Sequence, residues 1–289
     1  MKFGLGSTAA AVVAVLALLP SGLSAAAIAS AKPEDVGVSS ARLARIHDAM
    51  ERHIGAHDIS GGVTLVARRG RIVNYEAHGL MDLDSRKPMS KDSLFWIASM
   101  SKPITGVAIM MLLEEGKLRL TDPVSKYIPE FRGLKVAVME ERTGPPGAAA
   151  NQQEPRYYTI PASREITIRD LLSHVSGLAS GGPASSAEVA KDPRKPGATL
   201  ASYIPRLGAI PLDFQPGTRW SYSPSAGFDS LGRIVEIVSG ETFDRYLRER
   251  VFEPLGMKDI TFHPSVDQLP RIAATYHREG GALSKVDQQ

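Results

Sequence analysis

The sequence contains no cysteine, and that absence removes thiol nucleophiles, thiolate metal sites and iron–sulfur clusters from the possible chemistries. Disulfides are excluded as well, so the 289 residues must rely on an apolar core, which a chain of this length can build. There is no block of like charge either. The 34 basic and 31 acidic residues are interspersed and leave a net charge of +3, a pattern that serves solubility and offers no nucleic-acid footprint. No H-E-x-x-H metal motif, no G-x-S-x-G nucleophile elbow and no glycine-rich phosphate loop after a strand is present. No internal repeat is found, and beyond the first thirty residues no hydrophobic run is long enough to cross a bilayer.

The N-terminus is the exception to that last statement. Lys2 is the only charge in residues 1–31, "TAAAVVAVLALL" forms an apolar core at 8–19, and "AIASA" offers small residues at Ala29 and Ala31. This reads as a secretory signal peptide (1–31), too short for a comfortable span, with an uncleaved anchor as the rival reading. The expectation is an exported protein, periplasmic or secreted, with no stable membrane span after cleavage and one domain over 32–289.

Past the leader, "SSARLARIHDAMERHIGA" (39–56) places Leu43, Ile46, Met50 and Ile54 at helical spacing, with Ser39 or Ser40 as its cap. "GGVTLVARRGRIVNYEAHG" (61–79) predicts two strands around the turn Arg69-Gly70. A strongly apolar helix follows Pro103 and stops at Gly116, and its all-round hydrophobicity predicts burial. The stretch "TIRDLLSHVSGL" (167–178) is the clearest helical piece of the middle. Segments 143–155 and 180–198, rich in Pro, Gly and Ala, read as loop insertions. Further helices are predicted around Phe228, Leu231, Val235 and Val238 and over "TFDRYLRERVF", and the tail shows no strong periodicity. Two strands cannot make a stable sheet alone, so either the tail adds strands or the chain stops before its fold is finished.

Chemistry enters at "SLFWIASMSKPITGVAIMMLLEEGKL" (93–118). Ser99 and Lys102 are three apart, which on a helical turn puts both on one face. At a helix N-terminus the backbone N–H groups and the dipole favour an alkoxide and disfavour an ammonium, so a neutral Lys102 could take the Ser99 proton. Ser101 lies off that face and is the weaker candidate. The plain alternative keeps Ser99 as an N-cap with Lys102 reaching back to solvent. His47, His53 and His57 also invite attention, since His53 and His57 are i and i+4 and could chelate. Without a metal motif the amphipathic stretch reads instead as a solvated helix face, and no metal or organic cofactor is expected.

With its flanks included, the S-x-x-K block resembles a known family. "FWIASMSKPITGVAIMMLLEEGKLRLTDPVSKYIPEF", "ITIRDLLSHVSGL" and "PGTRWSYSPSAGFDSLGRIVEIVSG", in that order, are similar to the serine β-lactamase and penicillin-binding-protein superfamily, nearest its class C-like branch with its carboxylesterases. The resemblance runs from about residue 35 to 265. It implies an α/β (α+β) fold, an antiparallel sheet flanked by helices plus a helical subdomain. It also implies Ser99 as the acylated nucleophile, Lys102 as its base partner and Tyr222 as the phenol that shuttles the proton to the leaving group. The backbone N–H of Ser99 would form half of the oxyanion hole, and His174 in "LLSHVSGL" would position a loop.

Two departures qualify the resemblance. Pro224 stands where the family's Y-x-N motif has Asn, so a donor for an amide carbonyl is missing, which favours a simple ester over a β-lactam. No K-T-G follows, and Gly280-Gly281 in "REGGAL" is the nearest substitute. The family's remaining strands would lie beyond residue 289, which makes the fold incomplete at its C-terminus and the chain a fragment. The expectation is an exported serine hydrolase on small-molecule esters or β-lactam-like substrates, most simply a carboxylesterase. A β-lactamase or D-alanyl-D-alanine carboxypeptidase is the alternative, and a non-catalytic ligand-binding relative or inert fragment is the alternative of another class.

Overall fold

The computed structural model describes residues 28–140 and 155–286. Most of the signal-peptide reading (1–31) and nearly all of the expected insertion at 143–155 therefore fall outside the described residues. Helix α1 (Ser40–Gly55) begins where Ser39 accepts from the Arg42 N–H at 3.4 Å, as its sequence predicts. Strands β1 (Gly61–Arg68) and β2 (Arg71–Asp82) pair antiparallel. Arg69 and Gly70 both take positive φ, 52° and 68°, the left-handed pair that a two-residue hairpin requires. The two-residue β3 (Lys87–Pro88) joins the far edge of β2, so the sheet has the order β1-β2-β3.

Helix α2 (Ser101–Glu114) carries Pro103 in its first turn and ends before Gly116, whose φ is 70°. Its core-facing side, Thr105, Ala108, Ile109 and Leu112, is buried, whereas Val107 and Met110 are 47% and 46% exposed. The expectation of a wholly buried helix is corrected accordingly, because no described element covers that second face.

Four other expectations change. Strands β4 (Lys135–Met139) and β5 (Tyr157–Pro161) form an antiparallel pair in the middle of the chain, where the sequence predicts no strand. They escape detection because β5 is exposed at four of its five positions and so lacks alternation. The helical piece at 167–178 contracts to α3 (Ile168–Leu172), and the chain leaves the helix at His174, where φ is 58°. Within the supposed loop at 180–198 lies α4 (Pro183–Lys191), with its proline tolerated in the first helical turn. The tail does supply strands, β6 (Thr275–Glu279) and β7 (Ala282–Val286), joined by Gly280-Gly281 as a hairpin turn with φ of 58° and 85°.

The core lies among the helices, and the β1-β2-β3 sheet lies outside it. Ile109 and Leu112 of α2, Ile168 and Leu171 of α3, and Leu231, Ile234 and Val235 of α6 (Ala226–Ser239) share one buried cluster. Tyr203, which ends α5 (Leu200–Tyr203), and Tyr246 and Leu247 of α7 (Phe243–Leu247) close it. Each fully buried aliphatic side chain contributes roughly 1.5–3 kcal/mol. Helix α3 starts in a capping box between Thr167 and Asp170, and Arg164 grips the same carboxylate through both terminal nitrogens at 2.5 and 3.0 Å. Desolvation pushes the Asp170 carboxyl up, but Arg164 and the Thr167 N–H and hydroxyl outweigh it and hold the group below its ordinary value.

Leu231 is fully buried at the centre of this cluster. Leu231→Ala is expected to cost about 2–5 kcal/mol in chemical denaturation, and a loss under 1 kcal/mol would contradict this placement of the core.

Candidate active site

Ser99 sits in a single 3₁₀ turn, Ala98–Met100, that runs directly into α2. The preceding residue, Ala98, holds φ at 42°, a conformation an alanine adopts only at a cost of roughly 1–3 kcal/mol. The chain leading to this turn is anchored at both edges of Leu94: its N–H donates to the Arg271 carbonyl at 2.7 Å and its carbonyl accepts from Ala273 at 2.8 Å. Arg271 reinforces the anchor by donating from Nε and Nη2 to the Asp92 carbonyl. The turn is thus pinned from one side by the tail and from the other by α2.

Three side chains expected to act together are brought together. Lys102 Nζ donates to Ser99 Oγ at 3.1 Å and Tyr222 OH donates to the same oxygen at 2.6 Å. Lys102 does not reach back to solvent as the plain alternative supposed. Its ammonium also donates to the Pro224 carbonyl at 2.6 Å and lies 4.9 Å from the Tyr222 ring centre and 5.7 Å from that of Phe228. Nor is Ser99 a cap: the N-cap position of α2 is Met100, with no side-chain cap bond. Ser101 is used structurally, donating to the Ala98 carbonyl at 2.8 Å.

Electrostatics at the site follow from Lys102. The Lys102 hydrogen bond first, then that of Ser99, hold the Tyr222 phenol below its ordinary value of about 10. A phenol so placed loses its proton more readily than tyrosine in water, while remaining 40% exposed and open to a ligand. Phe95, Trp96, Ile97, Met100 and Trp220 are also exposed. The serine is therefore bordered by apolar and aromatic surface.

Some supporting residues were not foreseen. Residue 224 acts through its backbone oxygen, which no motif of side chains reveals. Asp229, one turn into α6, pairs with Arg194 at 3.2 Å, and burial pushes its carboxyl above the ordinary value against the pull of Arg194 and Lys102. His174 was read as a loop-positioning residue, and its contacts give that role a mechanism. Its Nδ1 accepts the Ser223 N–H at 3.1 Å, and its ring lies 4.8 Å from Tyr222, 5.4 Å from Phe228 and 6.2 Å from Trp220. Burial, then the Lys102 charge, hold the imidazole below its ordinary value of about 6.5, which keeps Nδ1 free to accept.

A lowered histidine value stabilises the fold fully above about pH 6.5, and the contribution is lost as pH falls through the folded-state value. The difference in Tm between the wild type and His174→Ala is therefore expected to be largest near pH 7.5 and to shrink on acidification. Differential scanning calorimetry from pH 7.5 to 5 reads this, and a gap that widens in acid would contradict it.

Comparison with known proteins matches the chain to a family. A family model described as Beta-lactamase matches residues 46–289. Esterase EstB of Burkholderia gladioli is 31% identical over 256 residues, covering 86% of this chain and 58% of that protein. Lovastatin esterase of Penicillium rubens is 32% identical over 231 residues, covering 78% of this chain and 55% of the esterase. An uncharacterised protein of Mycobacterium tuberculosis is 39% identical over 219 residues, covering 75% and 51% of the two chains. The chain thus spans about half the length of these curated relatives. Among solved structures, EstCE1, described as a hydrolase with promiscuous acyltransferase activity, superposes with a TM-score of 0.68 at 28% identity, over 85% of this chain and 59% of that one. Family model, relatives and structure agree: the chain belongs to the β-lactamase family and has the β-lactamase/transpeptidase-like fold of the serine β-lactamase and penicillin-binding-protein-like superfamily.

Proposed function

We propose that this chain carries the catalytic centre of an exported serine hydrolase that acts on small carboxylic esters through an acyl-enzyme at Ser99. The observation that supports it most is the Ser99 oxygen held between Lys102 Nζ at 3.1 Å and Tyr222 OH at 2.6 Å. In this reading the deprotonated Tyr222 takes the Ser99 proton as the serine oxygen bonds to the ester carbonyl carbon. Lys102 keeps its place between the Pro224 carbonyl, Ser99 and the phenolate. The lowered Tyr222 value favours this version over a neutral lysine base. Tyr222 then returns the proton to the departing alcohol. Water attacks the acyl-enzyme by the same route in reverse, with the Ser99 N–H as one oxyanion donor.

Substrate class rests on three points. Pro224 offers no side-chain amide to hold the amide carbonyl of a β-lactam. The exposed aromatic and apolar surface at Phe95, Trp96, Ile97, Met100 and Trp220 suits an acyl or aryl group. Two relatives are named as esterases. Export rests on residues 1–31, whose apolar stretch and small-residue site suit a cleaved leader ahead of a domain over 32–289.

A fluorophosphonate probe is expected to add one label per chain in intact-mass analysis, with none on Ser99→Ala; labelling that survives the substitution would sink the assignment. Lys102→Ala and Tyr222→Phe are each expected to lower turnover of p-nitrophenyl butyrate by about 10²–10⁴-fold. Because the base form accumulates with rising pH, kcat/KM should climb with a midpoint below pH 10. Residual activity of Lys102→Ala should inflect at higher pH, since the cation that lowers the phenol is gone. Turnover of nitrocefin at a comparable rate would instead indicate a β-lactamase.

A further inference from the structure

Helix α1 is oddly fixed. It is sixteen residues long, packs on β1 and β2, and has no fully buried residue. Beneath it, His78 of β2 is 97% withdrawn from solvent, being 3% exposed, and the proposed mechanism does not use it. Two side chains of α1 reach toward it, His47 and Glu51, one helical turn apart on the same face. One ligand atom from each of His47, Glu51 and His78 lies within 4.8 Å of the other two.

The hydrogen bonds around His78 fix which nitrogen carries a proton. The Glu76 carboxylate can only accept, so the bond at 2.9 Å comes from the Asn74 amide nitrogen. That sets the Asn74 oxygen toward Thr64, whose single hydroxyl hydrogen donates to it at 3.2 Å. Having given away its hydrogen, Thr64 Oγ1 can only accept from His78 Nε2, which lies 3.1 Å away. Nε2 therefore carries a hydrogen, and in the neutral imidazole that leaves Nδ1 as the lone-pair atom. What it faces is Glu51 Oε1, at 3.7 Å, too far for a hydrogen bond. A second carboxylate borders the cluster: Glu76 Oε2 accepts a hydrogen bond from His47 Nδ1 at 3.2 Å and lies 3.8 Å from His78 Nε2.

We propose that His47, Glu51 and His78 form a binding site for a divalent first-row transition cation, best suited to zinc, that clips α1 to the sheet. Two imidazoles and one carboxylate are an ordinary donor set for Zn²⁺, with water in the fourth position. Bonds of about 2.0–2.1 Å in a tetrahedron separate ligand atoms by roughly 3.3 Å, so the Nδ1–Oε1 gap of 3.7 Å needs little closing. The side chains that must move, His47 and Glu51, are 55% and 53% exposed, and His47 has only its hydrogen bond to Glu76 to give up. The buried His78 is already oriented by Thr64 and Asn74, the outer partner a metal-bound histidine requires. The pair first suspected in the sequence does not take part, because His53 Nδ1 is bonded to Asp58 at 2.8 Å.

Isothermal titration of the chelator-treated 289-residue chain with Zn²⁺ alone is expected to show one site, and saturation should raise Tm by several degrees. Exposed helix-face changes that leave the fold intact, His47→Ala and Glu51→Gln, should abolish both signals. Thr64→Val, which removes only the outer partner, should weaken binding by about 10–100-fold. Co²⁺ should give visible absorption bands that vanish in His47→Ala. Absence of Zn²⁺ binding would overturn the proposal, as would binding that persists unchanged in His47→Ala and Glu51→Gln, which would place the cation on other histidines.

Discussion

Everything at the candidate site depends on the packing of α2 against α6. Both helices begin at the site, one just after Ser99 and the other just after Pro224. Their buried faces, Ala108, Ile109 and Leu112 on one and Leu231, Ile234 and Val235 on the other, belong to a single cluster. Interiors packed to crystal-like density do not slide by fractions of an ångström. The distance between Ser99 Oγ and Tyr222 OH, across 123 positions of sequence, is in effect set by aliphatic side chains that never touch a ligand.

Within that frame one cation organises the polar chemistry. Lys102 is simultaneously the donor to Ser99, the donor to the Pro224 carbonyl and the charge that draws down Tyr222 and His174. The Tyr222 and Phe228 rings add π faces around it. His174 then ties the Tyr222 segment to the end of α3, and α3 itself is started by the Arg164–Asp170–Thr167 cluster. A chain of contacts links a buried carboxylate and its arginine partner to the orientation of a phenol.

How much of this could be read from the sequence varies with the range of the interaction. Ser99 and Lys102 are three residues apart, so helical geometry alone suggests their meeting. Tyr222 is too distant for any such argument and was identified only through resemblance of its surrounding motif. The Pro224 carbonyl and the Arg194–Asp229 pair leave no trace in residue type. In the fold, α1 and the β1–β2 hairpin carry strong periodicity and turn residues at the right places. Strand β5 and the terminal hairpin are largely exposed, so the alternation that marks a strand is absent. The cluster under α1 shows the same limit: His47 and Glu51 are local, but His78 joins them only because β2 folds back beneath the helix.

Pro224 illustrates how a position at the candidate site can be divided between backbone and side chain. Its carbonyl holds the lysine, and a carbonyl is common to all twenty amino acids. Its ring, which is exposed, takes no part in that bond. Selection can therefore vary the side chain at 224, and with it the shape and hydrogen-bonding character offered to a ligand, while the proton-handling groups keep their positions.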